Sequence, residues 1–440
     1  MHFKTILKVK SKTKVVKQNT FIAHGITFGY NKSISNTYRA AMLRRNIQLF
    51  IVIASSILGL IATDMILPSL PQITYFFDAP ANDVKMLLSI YMLGQFTTVL
   101  FWGILADHLG RQQTLFLGML LFLLGSILSI RADSLNILLI ARFLQGAGAI
   151  VAPVAGWALI QDLFPKDEGA RILAWIGTFT AILPLFAPAL GGLIDVLYGW
   201  QTSLYCIFIY SLILCVVFIA LPKLPHAREL NAPNLKQRFS IYYQIIRNKT
   251  FISYIALFGL LNAGEWCFLT VAPFYYAHQH IPPDTMGLLL MYTAMGFVCG
   301  SLLASRLFQF WGIDKTLNLG IHLALISSAL LLAGELFQWD EHHVFNALNM
   351  GLYIASSALL WGGTTSRALQ CFTEYRGSAS AIRSLILLCF SFLGTYFGKL
   401  MPHTSLLAVG FFLFFTALAA LIIFHNKELT TERLSADTAF

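Results

Sequence analysis

The sequence predicts an all-α membrane protein with twelve transmembrane helices in two six-helix halves. Three observations lead there. Of 440 residues, 57% are hydrophobic and 11% charged, whereas a soluble protein carries about 25% charged residues. The apolar residues are blocked into runs near the roughly 20 residues that span a hydrocarbon core. The basic residues crowd into alternate connections between those runs, the pattern that orients membrane helices. A β-barrel would show short alternating segments instead.

The apolar runs cover 46–69, 84–106, 113–130, 136–161, 170–194 and 200–222, then 250–277, 285–306, 316–336, 343–366, 377–399 and 404–425. They are helices 1 to 12. Alternating connections, with both termini cytoplasmic, put 10 Lys and Arg in the N-terminal tail, six in the connection after helix 6 and nine more on the same side. The opposite side receives Lys85, Arg131 and Lys399, and Arg142 and Arg383 fall within helices. The net charge of +10 therefore reports topology in a lipid bilayer, not a nucleic-acid partner. The location expected is the cytoplasmic (inner) membrane.

Residues 1–45 form a basic cytoplasmic tail without an acid. No apolar core precedes residue 46, so no signal peptide is expected. Met42-Leu43-Arg44-Arg45 would make an ordinary start just before helix 1, so residues 1–41 are either an upstream extension or a tail; an organelle transit peptide is a third option. The segments expected are a half over 46–222, a linker over 223–249, a half over 250–425 and a tail over 426–440. The stretch from Pro222 to Lys249 carries three prolines, six basic residues and few aliphatics, and a polar midpoint suggests paired halves. The remaining connections are too short for a catalytic domain.

Helix 1 contains TDMILPSLP, which places Asp64 four residues before Pro68. A carboxylate at the centre of a bilayer helix costs about 3 kcal/mol on insertion scales, and a proline loosens the helix beyond it. Helix 2 carries Tyr91 and Gln95 one turn apart on one face. Then comes WGILADHLGRQQTL, with Gly103, Asp107, Gly110 and Arg111 spaced as G-x-x-x-D-x-x-G-R. Gly110 permits the chain reversal; Asp107 can satisfy donors at a helix N-terminus and pair with Arg111.

Helix 4 contains RFLQGAGAIVAP. Arg142 either snorkels to the interface or faces the core, while Gly146 and Gly148 let neighbouring helices approach. Helix 5 contains ILPLFAPALGGLI, in which Pro184, Pro188, Gly191 and Gly192 make a bendable, smooth-faced helix. Helix 7 holds a second intramembrane acid, Glu265, in LLNAGEWCFLT. Asn262 and Gly264 adjoin it and suggest a local interruption, and Trp266 follows. Helices 1 and 7 hold equivalent places in the two halves, so Asp64 and Glu265 could face one central cavity. Glu265 is a substrate or proton site, the partner of a buried cation, or a structural bond. Arg383 in helix 11 is either a cavity cation or a snorkelling residue. Set against Arg142 and Arg383, the two acids would leave the cavity near neutral.

Trp175, Tyr292 and Trp361 are weaker candidates for the cavity wall, and His322 is a lone histidine, more often structural. The six cysteines lie in or beside apolar runs without a CxxC pair, as packing residues rather than a disulfide framework or metal site. No nucleophile–base set, metal cluster or phosphate loop appears. An enzyme is not expected, nor a cofactor, and without an ATP-binding motif the energy source would be an ion gradient.

The G-x-x-x-D-x-x-G-R loop between helices 2 and 3 resembles the signature of the major facilitator superfamily, over all twelve helices. The resemblance implies that the loop latches the cytoplasmic side shut, with Asp107 and Arg111 as charge elements; Gln112 stands where the family usually has another basic residue. Arg142-Phe143-Leu144-Gln145-Gly146 resembles a family segment whose arginine faces the core and influences proton coupling. Pro184 to Gly192 resembles the antiporter signature G-P-x-x-G-G, with Ala187 in place of the first glycine. T-D-M-x-x-P, and TVAPFYYAHQHIPPDTMGLLLMY over 270–292, resemble the drug:proton antiporters of the Bcr/CflA type. Asp64 matches their helix-1 acid; Ser56 stands where some relatives carry a second one.

The resemblance implies a proton-coupled exporter of small lipophilic molecules such as drugs and dyes, working as a monomer. A buried acid beside a cation can load and release protons as access alternates, with Asp64 and Arg142 in that role. The rival within transport is a dedicated exporter or importer of one metabolite, such as a siderophore. From another class, the chain could be a non-transporting receptor or scaffold.

Overall fold

The computed structural model describes residues 45–220, 235–337, 343–372 and 374–437. The expectations for the tail before Arg45 and for most of the linker's first half lie outside them. Residues Ile51–Phe440 form one compact unit.

Among the described residues, eleven helices are long and apolar enough to span a membrane, and a bent pair supplies a twelfth span. Helices 1 to 4 are Arg45–Phe76, Ala81–Leu109, Arg111–Ile130 and Leu135–Leu163. Helix 5 runs Lys166–Tyr198, as Asp167–Thr180 and Leu185–Tyr198 bent by 41°. The bend falls on the segment that contains Pro184. Helices 6 to 9 are Gln201–Ile219, Lys249–His278, Pro283–Phe310 and Ile313–Leu336; helices 10 to 12 are His343–Gln370, Arg376–Leu400 and Leu407–Asn426.

Prolines and glycines punctuate the spans. Pro80, Pro165 and Pro282 stand at the N-caps of helices 2, 5 and 8, where the missing N–H costs nothing. Gly110, at φ 94°, ends helix 2 and starts helix 3; Gly312, at φ 79°, follows Trp311, the C-cap of helix 8, and starts helix 9. These positive φ values are accessible to glycine at little cost, so the sequence-predicted turn at Gly110 is present and recurs in the second half.

The connections define two ends of the bundle. Gly110 and Gly312 mark one, and Gly199, between helices 5 and 6, marks the other. The halves meet where helix 2 packs on helix 11, helix 5 on helix 8, and the last part of helix 1 on helix 7. Glycines set the closest approaches within and between halves. A Cβ at Gly146 would lie 2.0 Å from the Tyr91 carbonyl oxygen, and one at Gly94 would lie 2.3 Å from that of Phe143, so helices 2 and 4 touch backbone to backbone.

The linker departs from the sequence expectation. It is not a loop throughout, because Leu235–Arg247 is a helix. Tyr242 and Ile245 are buried on one of its faces, against helices 7 and 11, so even a few apolar residues at helical spacing suffice for docking.

Candidate functional site

Helix 1 breaks at the carboxylate the sequence singled out. It is α-helical through Asp64, turns at Met65 and Ile66, forms a 3-10 turn at Leu67–Ser69 and resumes as Leu70–Phe76. Pro68 lacks an N–H and crowds the carbonyl four residues back, which is that of Asp64. The carbonyls of the last turn need other donors. Arg142 Nη1 donates to the Ala62 oxygen at 2.8 Å, and a cation suits the negative end of a helix.

Asp64 is 6% exposed and lines a cavity of about 250 Å³ at the centre of the bundle. Helix 1 contributes Ser56, Gly59, Thr63 and Asp64; helix 7 contributes Glu265, Trp266 and Leu269. Met92 and Gln95 of helix 2, Thr293 of helix 8 and Ser391 of helix 11 complete the polar and soft parts of the wall. Leucines, isoleucines, alanines and prolines make up most of the rest. Among the described residues, no Lys, Arg or His lines it. Among the described residues, neither Asp64 nor Glu265 has a hydrogen-bond or ion-pair partner.

The two acids thus face one cavity, as their equivalent places suggest, and Gln95 and Trp266 join them. Other candidates sit elsewhere. Tyr91 is behind the wall and donates to the Gly59 oxygen at 2.7 Å. Asn262 accepts from Ser391 Oγ at 2.7 Å, which orients a wall residue. Arg383 donates to Thr365 Oγ1 at 2.6 Å and does not line the cavity. Arg142 is buried within the bundle, not snorkelling, and bonds to helix 1 backbone rather than to Asp64. The near-neutral cavity expected from two acids and two arginines is therefore corrected: the wall is acidic. Trp175, Tyr292 and Trp361 are also absent from it. Helix 7 is not interrupted at Asn262 and Gly264; a Cβ at Gly264 would lie 2.3 Å from the Tyr353 hydroxyl, so the glycine admits that ring.

Helix 4 holds a feature that sequence reasoning missed. Ala152–Gly156 is a π-helical turn containing Pro153, and Ala149, Ile150 and Pro153 line the cavity. π-turns in α-helices recur at functional sites. The proline in RFLQGAGAIVAP was the available signal.

The helix 5 motif lies against both halves. A Cβ at Gly191 would lie 1.9 Å from the Met65 oxygen, next to Asp64. One at Gly192 would lie 2.1 Å from the Pro283 oxygen on helix 8, and one at Gly287 would lie 2.4 Å from that of Pro188. Helices 5 and 8 are therefore pressed together at the Gly199 end. Pro188 also lines the cavity.

At the same end lies a group the sequence suggested only as a topological charge. Lys85 is fully buried. Its ammonium donates to the Met401 oxygen at 2.8 Å and lies 5.5 Å from the centre of the Phe274 ring. It ties helix 2 to the C-terminal ends of helices 11 and 7, across the halves.

The Gly110 end carries ion pairs, but not the one expected. Asp107 does not pair with Arg111; it pairs with Arg238 of the linker helix at 2.5 Å. Arg111 pairs with Asp162 at the end of helix 4, at 2.5 Å, and also bonds to the Ala158 oxygen. In the second half, Asp314 after Gly312 pairs with Arg367 at the end of helix 10, at 2.6 Å. The two halves make the same connection with the charges exchanged. Gly103 has only an ordinary contact with Val154.

Comparison with known proteins agrees with this arrangement. The family model of the Major Facilitator Superfamily matches residues 52–385. The multidrug resistance protein MdtL of Shewanella sp. (strain ANA-3) is 28% identical over 371 residues, 82% of this chain and 89% of the relative. The uncharacterized MFS-type transporter YdgK of Bacillus subtilis (strain 168) is 25% identical over 394 residues, 87% of this chain and 95% of the relative. Among solved structures, the nucleoside transporter NupG superposes with a TM-score of 0.66 at 11% identity, covering 86% of this chain and 98% of NupG. A D-xylose–proton symporter also gives 0.66, at 16% identity, covering 85% and 96%. At these identities the solved structures speak for the fold alone.

Proposed function

Because the chain belongs to the Major Facilitator Superfamily, a family of membrane transporters, we propose that it is a proton-coupled antiporter exporting small lipophilic organic cations by alternating access. The observation that carries this is the cavity wall: two carboxylates, one from each half, in mostly apolar surroundings and, among the described residues, without a basic one. A buried charge without a partner costs several kcal/mol. A proton removes that cost, and so does a cationic substrate. Switching with neither bound would enclose bare charges, so the cavity crosses loaded with one or the other. That is the condition for exchange.

Energy comes from protons moving inward, with about 2.3 kcal/mol released per charge per 100 mV. Trp266 and the aliphatic wall suit the ring systems of lipophilic dyes and drugs, and an aromatic face attracts a cation. The name of the MdtL relatives supports the drug-export reading. In this reading Asp64 and Arg142 belong to proton coupling, and Glu265, Gln95 and Trp266 to substrate binding. The positive-inside distribution makes the Gly110 end cytoplasmic, with both termini there, in the cell's inner membrane. The charge pairs at that end are its latch. A dedicated exporter of an anionic chelator such as a siderophore is the weaker rival, because its substrate would meet two like charges.

The test is ethidium efflux from energised cells of an efflux-deficient bacterium, with membrane insertion matched between variants. Wild type should extrude the dye, a protonophore should stop it, and Asp64→Asn should fail. Glu265→Gln should weaken ethidium export more than export of an uncharged drug. A wild type that is inserted but never moves a cationic dye would reject the drug-pump reading. A silent Asp64→Asn would favour a receptor or scaffold.

A further inference from the structure

The linker helix has a second face that the transport cycle does not use. Its inner face is committed to the protein. Tyr242 and Ile245 are buried, and Arg238 is paired with Asp107 at 2.5 Å. On the outer face, Phe239, Tyr243 and Ile246 stand at i, i+4 and i+7 and are 61%, 60% and 48% exposed. Such a stripe is apolar and continuous along the helix.

Basic residues surround it. Lys236, Arg247 and Lys249 are exposed, and no acid occurs between Leu235 and Lys249. Arg247 lies 5.4 Å from the centre of the Tyr243 ring and bonds to its hydroxyl at 3.3 Å. This is an amphipathic pair, with an aromatic body below and a charge above. With Arg238 neutralised by Asp107, the surface keeps three cations from these fifteen residues.

Depth completes the picture. Only Asn248 separates the linker helix from helix 7, a membrane span that starts at Lys249. Asn248 caps helix 7 by accepting from the Phe251 N–H at 2.9 Å. The C-terminal end of the linker helix is thus held at the boundary between hydrocarbon and headgroups. An amphipathic helix with aromatic residues on one face and a cationic rim at that level is built to lie in the interface.

We propose that the outer face of helix Leu235–Arg247 docks on anionic lipid headgroups of the cytoplasmic leaflet, with Phe239, Tyr243 and Ile246 below the headgroup plane and Lys236, Arg247 and Lys249 against the phosphates. The orientation rests on the transport reading above; the docking does not depend on transport. The same thirteen-residue helix then holds lipid on one side and Asp107 of helix 2 on the other. Anionic lipid becomes a determinant of how firmly that ion pair is held.

Hydrogen–deuterium exchange on the full-length protein in nanodiscs tests this. Docking adds to the cost of opening the helix, and exchange slows by the same factor. Each cation at an anionic surface gains about fivefold, so phosphatidylglycerol should slow exchange over 235–247 by about tenfold or more against pure phosphatidylcholine. High salt should remove the difference. The variant Lys236→Gln/Arg247→Gln/Lys249→Gln, which alters only exposed groups, should exchange alike in both lipids. Equal exchange of wild type in the two lipids overturns the proposal. So does phosphatidylglycerol protection that survives in the triple variant, since the headgroup charge would then not be what the helix reads. Neither outcome bears on whether the protein exports dyes.

Discussion

Gly192→Ala should drive the halves apart at the Gly199 end while leaving the rest of the fold intact. The added Cβ would lie 2.1 Å from the Pro283 oxygen, 2.8 Å from its carbonyl carbon and 3.1 Å from the Asp284 Cα. All three are backbone atoms of helix 8, so no side chain can swing aside. Overpacking of this kind costs about 1–3 kcal/mol, and the contact exists only while helices 5 and 8 are together. In the proposed alternating cycle the cost therefore falls on one state. It shifts the balance toward the state open at that end by roughly 5- to 150-fold. Spin labels at Tyr198 on helix 5 and Thr285 on helix 8, both exposed, would report the change as a longer distance population in pulsed EPR. Gly287→Ala, 2.4 Å from the Pro188 oxygen, should act in the same direction from the other side. Gly177→Ala is the control, since nothing lies within 4 Å of its Cβ, and alanine is the better helix former by about 1 kcal/mol. If Gly192→Ala and Gly287→Ala both fold and keep the wild-type distance distribution and efflux rate, then the close contact of helices 5 and 8 is not a gate.

Three other perturbations follow from the geometry. Lys85→Met removes a buried cation held by one carbonyl and one ring; a well-packed apolar replacement of a buried charge is neutral or stabilising by about 1–4 kcal/mol, so the Gly199 end should open less often, read by the same labels, and a shift toward opening would refute this. Reversing the Arg111–Asp162 pair one residue at a time should weaken the Gly110 end, and the double reversal Arg111→Asp/Asp162→Arg should recover at least half of the lost efflux; a double variant no better than either single would show that the Ala158 contact matters more than the charge. His403, in the connection between helices 11 and 12, has its pKa lowered by burial first and then by the charges of Lys85 and His278. A histidine that resists protonation in the closed arrangement stabilises it above the ordinary histidine range and loses that contribution as pH falls below it. Acidification should therefore favour opening at this end, and His403→Asn should flatten that part of the pH dependence in the same EPR distances.

What was legible in the sequence is what local chemistry decides. Runs of apolar residues mark the spans, Gly110 marks a reversal that needs positive φ, and Pro68 marks a break at its own i−4 residue, Asp64. Each rests on one residue and its near neighbours. The cavity wall was less legible, because strongly apolar helices carry little amphipathic signal. Helix rotation is then set by glycines at contacts distant in sequence. Gly146 against Tyr91 holds helices 2 and 4 in register, with Tyr91 bonded to the Gly59 carbonyl, behind the wall. Ser391 and Thr293, which do line it, look like any small polar residues in a membrane helix. Ion pairing was illegible for a related reason. Asp107 and Arg111 share a turn, yet each finds its partner on another helix, Arg238 or Asp162, because the glycine between them separates their directions.

The two cavity carboxylates are chemically alike and mechanically different. Glu265 sits in an α-helix that runs unbroken from Lys249 to His278, so its backbone is held on both sides. Asp64 sits at the last turn before a break, where the carbonyl ladder has already failed. The next residue, Met65, has its oxygen where a Cβ at Gly191 would fall, and a Cβ at the neighbouring Gly192 would meet Pro283 of the opposite half. A change in charge at Asp64 therefore acts on the part of helix 1 best able to move, one residue from a contact chain that reaches across the halves. A change at Glu265 has no such route. In the proposed cycle this divides the labour: Asp64 is placed to convert protonation into opening and closing of the Gly199 end, and Glu265 to hold the positive charge of the substrate. Asp64→Asn should accordingly change the pH dependence of the Tyr198–Thr285 distances without substrate present, whereas Glu265→Gln should leave that dependence in place and weaken cation binding. The reverse assignment of these two effects would overturn the division.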